Sequence, residues 1–208
     1  MISPAAGRDS LGEVDTERLR MRPLSKGNAA LYCHLYGDPD TMRFVGRPLS
    51  RERAERSFRN ALASLDCRPV ERLFLAIVEK ASQEAIGISA LQDLDAPRRR
   101  MQAGIMLVSG SRGRGFGKEV LGALVTHAFA VFPVDEVWVQ HVAANSMAES
   151  LPINLGFSRN FDTADYGEES GTCIWSVDRE TWGRGPRSDP GEPPGRKKND
   201  NSVEGSVA

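Results

Sequence analysis

Apolar and polar residues follow two different periods along this chain, and the period distinguishes predicted strands from predicted helices. Apolar or alternating runs predict strands at about 16–23, 74–79, 85–94, 101–108, 136–142 and 172–178. Helical spacing and caps predict helices from Ser25 to about Tyr36 and from Ser50 to about Leu65. A third helix is predicted by the apolar residues that recur with helical spacing from 120 to Phe132. Strands and helices therefore alternate along the chain.

Local signals sharpen this pattern near the N-terminus. Leu19 and Met21 alternate with basic residues, so both are expected to face the core. The segment 38–40, Asp-Pro-Asp, is predicted to be a turn. The triplet 98–100, Arg-Arg-Arg, is expected to be a solvated hairpin tip, with a role in holding an acidic acceptor as the alternative.

A glycine-rich loop joins the strand that ends near Val108 to the helix that ends near Phe132. The first N–H groups of a helix have no partner within it and carry partial positive charge, so this loop is predicted to bind an anion. Glycines at 113, 115 and 117 let the anion approach the backbone, and Arg112, Arg114 and Lys118 add positive charge. A pyrophosphate group fits this description.

Two common phosphate motifs do not fit the loop. A Walker loop requires Ser or Thr after Gly-Lys, but Glu119 follows Lys118 here. The dinucleotide fingerprint requires a third glycine at the position that Lys118 occupies. A nucleoside triphosphatase and a Rossmann dinucleotide site are therefore both disfavoured.

Length and composition predict one domain with tails. The 208 residues are 40% hydrophobic and 26% charged, and the net charge is −1, so we expect neither nucleic acid nor a membrane as partner. We expect a flexible segment at 1–15, a domain at 16–182 and a disordered tail at 183–208. The absence of a signal-like apolar segment and of paired metal-ligand spacings predicts a cytoplasmic protein without a metal site.

Three segments resemble the GNAT superfamily of acetyltransferases. Residues 112–117, Arg-Gly-Arg-Gly-Phe-Gly, match its motif A, Arg/Gln-x-x-Gly-x-Gly/Ala, which binds the pyrophosphate of acetyl-coenzyme A. Residues 16–23 resemble the opening strand of the ribosomal-protein-alanine acetyltransferase branch, Thr-x-Arg-Leu-x-Leu-Arg-Pro. The spacing from Asn145 to Gly156-Phe157 is similar to a family segment in which an Asn opens a helix that ends at Leu-Gly-Phe.

This resemblance implies an α/β (α+β) GNAT fold, in which helices flank a mixed central β-sheet with two splayed parallel strands. It also implies that acetyl-coenzyme A is the cosubstrate and that the backbone N–H of Leu107 faces the acetyl carbonyl. The implied cofactor-binding residues are Met106, Leu107, Val108, Arg112, Gly113, Arg114, Gly115, Phe116, Gly117, Lys118, Asn145 and Asn154.

The sequence departs from the family at both usual acid–base positions. Gln102 replaces a common Glu, and Pro152 replaces a common Tyr and should kink its helix or delay its start. His141 is then the candidate proton relay, with a packed histidine as the alternative. Ser150 is a candidate donor to the leaving thiolate, although a serine near a helix start is often a cap. The candidate catalytic residues are Leu107, His141, Asn145 and Ser150.

In the resembled family, the link at 38–49 forms a wall of the acceptor site. The candidate acceptor contacts are Asp38, Asp40, Phe44, Gln102 and Tyr166, and solvated turn residues are an equal alternative for the first three. Tyr166 lies in the acidic segment 162–169, which would attract a cationic acceptor.

The resemblance favours an N-acetyltransferase, monomeric or homodimeric, that modifies the N-terminal amine of a protein or peptide. A small-molecule amine such as a polyamine, amino acid or antibiotic is the alternative acceptor. A non-catalytic module that binds acyl-coenzyme A is the third hypothesis, because Gln102 and Pro152 replace both usual proton-transfer groups.

Overall fold

Eight strands form one mixed sheet in the computed structural model, which describes residues 12–160 and 171–184. The order across the sheet is β1-β2-β3-β4-β5-β6-β8-β7. The strands are β1 (Val14–Asp15), β2 (Leu19–Pro23), β3 (Leu73–Glu79), β4 (Ala85–Asp95), β5 (Arg100–Leu107), β6 (Glu136–Val142), β7 (Ser158–Asn160) and β8 (Thr172–Asp178). The helices are α1 (Ala29–Gly37), α2 (Pro39–Met42), α3 (Arg51–Ser64), α4 (Phe116–Val131), α5 (Ser146–Asn154) and α6 (Arg179–Gly183).

The pairing of β5 with β6 is parallel, whereas the other strand pairs are antiparallel. The parallel register begins at Arg100 and Glu136 and ends at Gln102 and Trp138. Both strands continue beyond that point, to Leu107 and Val142, without remaining paired to each other. The predicted splayed parallel strands of a mixed sheet are thus confirmed.

The core forms where the sequence pattern predicts it. Leu19 and Met21 are fully buried on β2, and the apolar stripe of α4 is buried from Val120 to Phe129. Each such side chain contributes about 1.5–3 kcal/mol relative to an exposed position. Packing of α4 against β5 fixes the start of this helix beside the end of that strand.

Three local predictions were wrong in whole or in part. Pro39–Met42 form α2 rather than a turn, because Asp38 caps the first turn and Pro39 occupies the first helical position. Arg98 and Arg99 are exposed in the turn between β4 and β5 as predicted, but Arg100 is 7% exposed at the start of β5, and its Nε donates to Asp95 at 3.2 Å. The helix α5 begins at Ser146, so the proline at 152 does not delay its start, and the alternative, a kink at that proline, stays a prediction.

The ends of the predicted domain are described in part. Val14–Asp15 pair with β2, so the sheet begins within the segment 1–15 that was expected to be flexible. Tyr166 and the rest of the acidic segment, together with residues 1–11 and 185–208, lie outside the described residues. Within the described ranges, no helix is long and apolar enough to cross a membrane.

Candidate active site

The gap between β5 and β6 exposes part of the β5 backbone. The N–H of Val108 donates to the carbonyl of Ile86 at 3.0 Å, so Val108 turns its N–H toward β4. Because backbone groups alternate in direction along a strand, the N–H of Leu107 turns the other way, toward the gap. Leu107 therefore has the orientation expected of a donor to a group bound between the two strands.

The same alternation separates the neighbours of Leu107. Met106 is paired with Ile88, and its backbone N–H turns toward β4 as that of Val108 does, so neither of these N–H groups faces the gap. Ile105 shares the orientation of Leu107 and lies closer to the point where the strands diverge. Sequence reasoning missed Ile105, although the period of two along the strand could have identified it.

The loop before α4 has the backbone shape of an anion site. Gly113 and Gly115 adopt left-handed φ angles of 73° and 81°, which other residues rarely adopt. Gly115 is the N-cap of α4, and no side chain caps this end of the helix. The N–H groups of the first turn are therefore available to an anion approaching the loop.

Two guanidinium groups border this loop but are already paired. Arg114 donates to Glu79 at 2.5 Å, and Arg18 forms an ion pair with Glu119 at 2.7 Å. The Cζ atoms of both arginines lie 4.6 Å from the ring centroid of Phe116. Phe116 is 2% exposed, so its ring supports the loop from within. Arg18 was missed because its partner Glu119 is distant in sequence.

The paired carboxylates on this side remain ionised at neutral pH. The Ser82 hydroxyl and the Arg114 guanidinium lower the pKa of Glu79. Burial alone would raise the pKa of Glu119, but hydrogen bonds from Thr16 and Arg18 lower it overall. Lys118 differs from both arginines: it is exposed, and its amine has no hydrogen bond or ion pair with any residue that the structure describes. It is the cation most available to a phosphate.

Arg112 joins the end of β5 to α2. Its Nε donates to the carbonyl of Leu107 at 3.0 Å, and its Nη2 donates to Oγ1 of Thr41 at 2.6 Å. The Thr41 hydroxyl in turn donates to Oδ2 of Asp38 at 2.5 Å, which lowers the pKa of that carboxyl. Asp38, a candidate acceptor contact, thus acts as the cap of α2 in this structure.

The remaining acceptor candidates occupy two places. Asp40 is exposed on α2, and Phe44 is half-buried with the Cζ of Arg43 5.0 Å from its ring centroid. Gln102 is 6% exposed at the last parallel pair of β5 and β6, where its Oε1 accepts from Nε2 of Gln92 at 2.9 Å. The point where the strands diverge therefore carries a neutral amide pair.

His141 is packed between partners on both sides. It is 7% exposed; its Nε2 accepts from the indole Nε1 of Trp175 at 3.1 Å, and its Nδ1 lies 3.0 Å from the Val142 carbonyl. An indole N–H only donates, so Nε2 carries no proton and Nδ1 holds the one it gives to Val142. This arrangement favours the packed histidine over the proton relay.

The candidates on α5 bond within their own helix. Asn145 caps it by accepting from the Ala148 N–H at 3.2 Å. Ser150 donates to the Met147 carbonyl at 2.8 Å, and Asn154 donates to the Ser150 carbonyl at 2.7 Å. Leu151, on the same helix, touches the start of α4: a Cβ at Gly117 would lie 3.2 Å from its Cδ1. α5 therefore lies directly beside the anion loop.

Comparison with known proteins agrees with this geometry. A family model described as an acetyltransferase (GNAT) domain matches residues 18–158. An uncharacterized N-acetyltransferase p20 from Bacillus licheniformis is 22% identical over 160 residues, which cover 76% of this chain and 89% of that protein.

Solved structures share the fold at low identity. A spermidine N-acetyltransferase from Vibrio cholerae, in complex with CoA and spermine, has a TM-score of 0.68 at 14% identity and covers 80% of this chain and 99% of its own. A ribosomal L7/L12 α-N-protein acetyltransferase in complex with coenzyme A has a TM-score of 0.68 at 12% identity, covering 80% and 98%.

Proposed function

Because this chain belongs to the GNAT acetyltransferase family and is an acetyl-coenzyme A-dependent N-acetyltransferase, we propose that its acceptor is the N-terminal amine of a protein or peptide. We also assign it to the ribosomal-protein-alanine branch, on the form of residues 16–23. The residues that carry the reaction are those at the gap between β5 and β6 and in the loop before α4.

The protein's first task is to position the cosubstrate. Acetyl-coenzyme A supplies a thioester that is already activated, so alignment accounts for much of the rate. The N–H groups of the first turn of α4, with Lys118, hold its phosphates. The N–H of Leu107 donates to the carbonyl oxygen as negative charge develops there, and this requires no titratable side chain.

The neutral pair of Gln92 and Gln102 is the observation that carries the choice of acceptor. An amide cannot take a proton from the amine, and both ring nitrogens of His141 are occupied. The enzyme therefore suits an amine that loses its proton to water before attack. A peptide α-amine titrates near 8 and a lysine-type amine near 10.4, so at pH 7.5 the neutral fraction of the α-amine is on the order of 10²-fold larger.

Charge on the link between α2 and α3 supports the same choice. Arg43 and Arg47 are exposed there and would repel a polycation, whereas Asp40 offsets only part of this charge. A peptide with one terminal amine meets less repulsion than a polyamine.

Thiol release from acetyl-coenzyme A with matched acceptors tests this proposal. We expect turnover of an alanine-starting peptide, and at least tenfold lower kcat/KM for spermidine and for the same peptide with a blocked N-terminus and an internal lysine. With the free peptide, kcat/KM should rise with pH until its α-amine is deprotonated. Preference for spermidine or for the blocked peptide would contradict the proposal and favour the small-amine or lysine alternative.

A further inference from the structure

The connection through Arg112 joins two stretches of chain, 38–41 and 107–112, that lie 71 positions apart at Thr41 and Arg112. It runs from the Leu107 carbonyl through the Arg112 guanidinium and the Thr41 hydroxyl to the Asp38 carboxylate, with donor–acceptor distances of 3.0, 2.6 and 2.5 Å. A hydroxyl has one proton and two acceptor lone pairs. The Thr41 hydroxyl must therefore accept from Arg112 and donate to Asp38, because Arg112 only donates and the carboxylate only accepts.

Burial makes this connection specific. Thr41 is 8% exposed, and the next residue, Met42, is 5% exposed, so α2 is seated against the protein rather than projecting from it. A buried donor or acceptor that loses its partner destabilises the fold, and the effect is larger for charged groups. Arg112 and Asp38 therefore hold each other in place through Thr41.

The connection lies next to the reacting position. The N–H and carbonyl of one strand residue point to the same side of the strand. Arg112 therefore donates to the Leu107 carbonyl on the same side of β5 on which the N–H of Leu107 faces the gap. The N–H of Leu107 lies in the preceding peptide plane and its carbonyl in the following one, and the two planes meet at the Leu107 Cα. A shift of the Arg112 guanidinium would therefore rotate or loosen this donor.

We infer that Arg112 is a positioning residue rather than a phosphate ligand, and that Arg112, Thr41 and Asp38 couple α2 to occupancy of the acetyl-coenzyme A site. Binding at Leu107 and at the loop before α4 fixes Arg112, and Arg112 fixes α2 and the acceptor link that follows it. The coupling rests on the proposed function only in treating this link as the acceptor wall. The planar guanidinium is required, because it donates in two directions at once.

Hydrogen exchange of residues 38–49, with and without acetyl-coenzyme A, tests the coupling without any acceptor. In the wild type, binding should slow exchange in this segment. Thr41→Val keeps the shape of the side chain but removes the hydroxyl, and Arg112→Lys keeps the positive charge but removes the planar guanidinium. Both variants should therefore lose this protection. Thr41→Ser, which restores the hydroxyl, should recover most of it.

Affinity and kinetics provide the second readout. For Thr41→Val and Arg112→Lys, we expect the Kd of acetyl-coenzyme A to stay within about threefold of wild type, while kcat/KM for any working amine falls about tenfold, the equivalent of about 1.4 kcal/mol. The exchange result does not depend on which amine is the acceptor, so failure of the peptide proposal would leave it intact.

Three outcomes would overturn the inference. The first is wild-type protection of residues 38–49 in Thr41→Val. The second is a large loss of acetyl-coenzyme A affinity in Arg112→Met with recovery in Arg112→Lys, as expected of a phosphate ligand. The third is an equal loss in Thr41→Val and Thr41→Ser, which would reflect packing rather than the hydroxyl.

Discussion

Single residues around the loop before α4 divide into those that can meet a phosphate and those already bonded to the protein. Lys118 belongs to the first group, whereas Arg112 and Arg114 have partners in Thr41 and Glu79. The sequence predicted three cations around the anion and did not distinguish among them. Their partners lie 71 and 35 positions away, so no local pattern could have identified them.

Charge reversal at Lys118 should therefore weaken cosubstrate binding. The interaction energy of two unit charges about 4 Å apart is about 1 kcal/mol in bulk water and about 4 kcal/mol near a protein surface. Lys118→Glu should therefore raise the Kd of acetyl-coenzyme A by roughly tenfold or more. The melting temperature without ligand should stay near wild type, because Lys118 is exposed. Calorimetric titration measures the Kd, and Arg53→Glu on α3, also exposed, is the control. An unchanged Kd would show that the phosphates of acetyl-coenzyme A do not bind beside Lys118.

His141 should act through packing rather than proton transfer. Its loss leaves the Trp175 indole without its acceptor, so His141→Ala should lower the free energy of unfolding by about 1–3 kcal/mol. The ratio of mutant to wild-type kcat should stay constant across pH 6–9. A ratio that falls near neutral pH and recovers as pH rises would restore His141 as the relay.

Elements were predicted well where their pattern is long, and poorly where they are short. β3, β4, β6, α3 and α4 agree with the apolar periods and caps of the sequence. β7, α6 and α2 are only three to five residues long, so they carry no period, and their formation depends on neighbours such as β8 and the Asp38 cap. The divergence of β5 from β6 likewise arises from packing and could be expected only through the family resemblance.

The close approach of β4 and β5 beside the gap makes Gly87 sensitive. A Cβ at this position would lie 2.4 Å from the Met106 carbonyl oxygen and 2.7 Å from Cδ2 of Leu107. Gly87→Ala must therefore displace the end of β5, at a cost of about 1–3 kcal/mol in unfolding free energy, with a fall in kcat. Gly104→Ala on β5 is the matched control for stability, because a Cβ there meets nothing within 4 Å. Equal denaturation midpoints for the two variants would contradict this account of β5.

For the whole molecule, ion pairs and caps set the response to acid. Carboxyls with lowered pKa values lie throughout the described residues: Asp15, Asp38, Glu79, Asp95, Glu119, Asp135 and Asp178. A folded-state pKa below the unfolded one gives stability that is complete above the unfolded value, near 4, and is lost as pH falls through the folded value.

Unfolding free energy should therefore be nearly flat from pH 7 to 5 and fall steeply below about pH 4. Asp135 bonds to Arg99, which lowers its pKa, so Asp135→Asn should make the acid slope shallower. Urea unfolding at a series of pH values measures both slopes. An identical slope in the variant would show that this pair does not persist in solution.

The molecule has a second candidate location for the cosubstrate. A cavity of about 820 Å³ runs along the outer side of α4, where Thr126, His127, Ala130 and Trp182 line the part farthest from the loop. Gly115 and Lys118 line this cavity too, so the two locations share the start of α4. The backbone amides of Leu107 on β5 and of Thr126 and Ala130 on α4 therefore distinguish them.

Backbone amide NMR during titration with acetyl-coenzyme A tests the central claim most directly. We expect the largest shift changes at Ile105, Leu107 and the amides of residues 113–118, because these groups line the gap and the start of α4. Only small changes are expected at Thr126 and Ala130. Changes concentrated at Thr126 and Ala130, with Leu107 unmoved, would contradict the account.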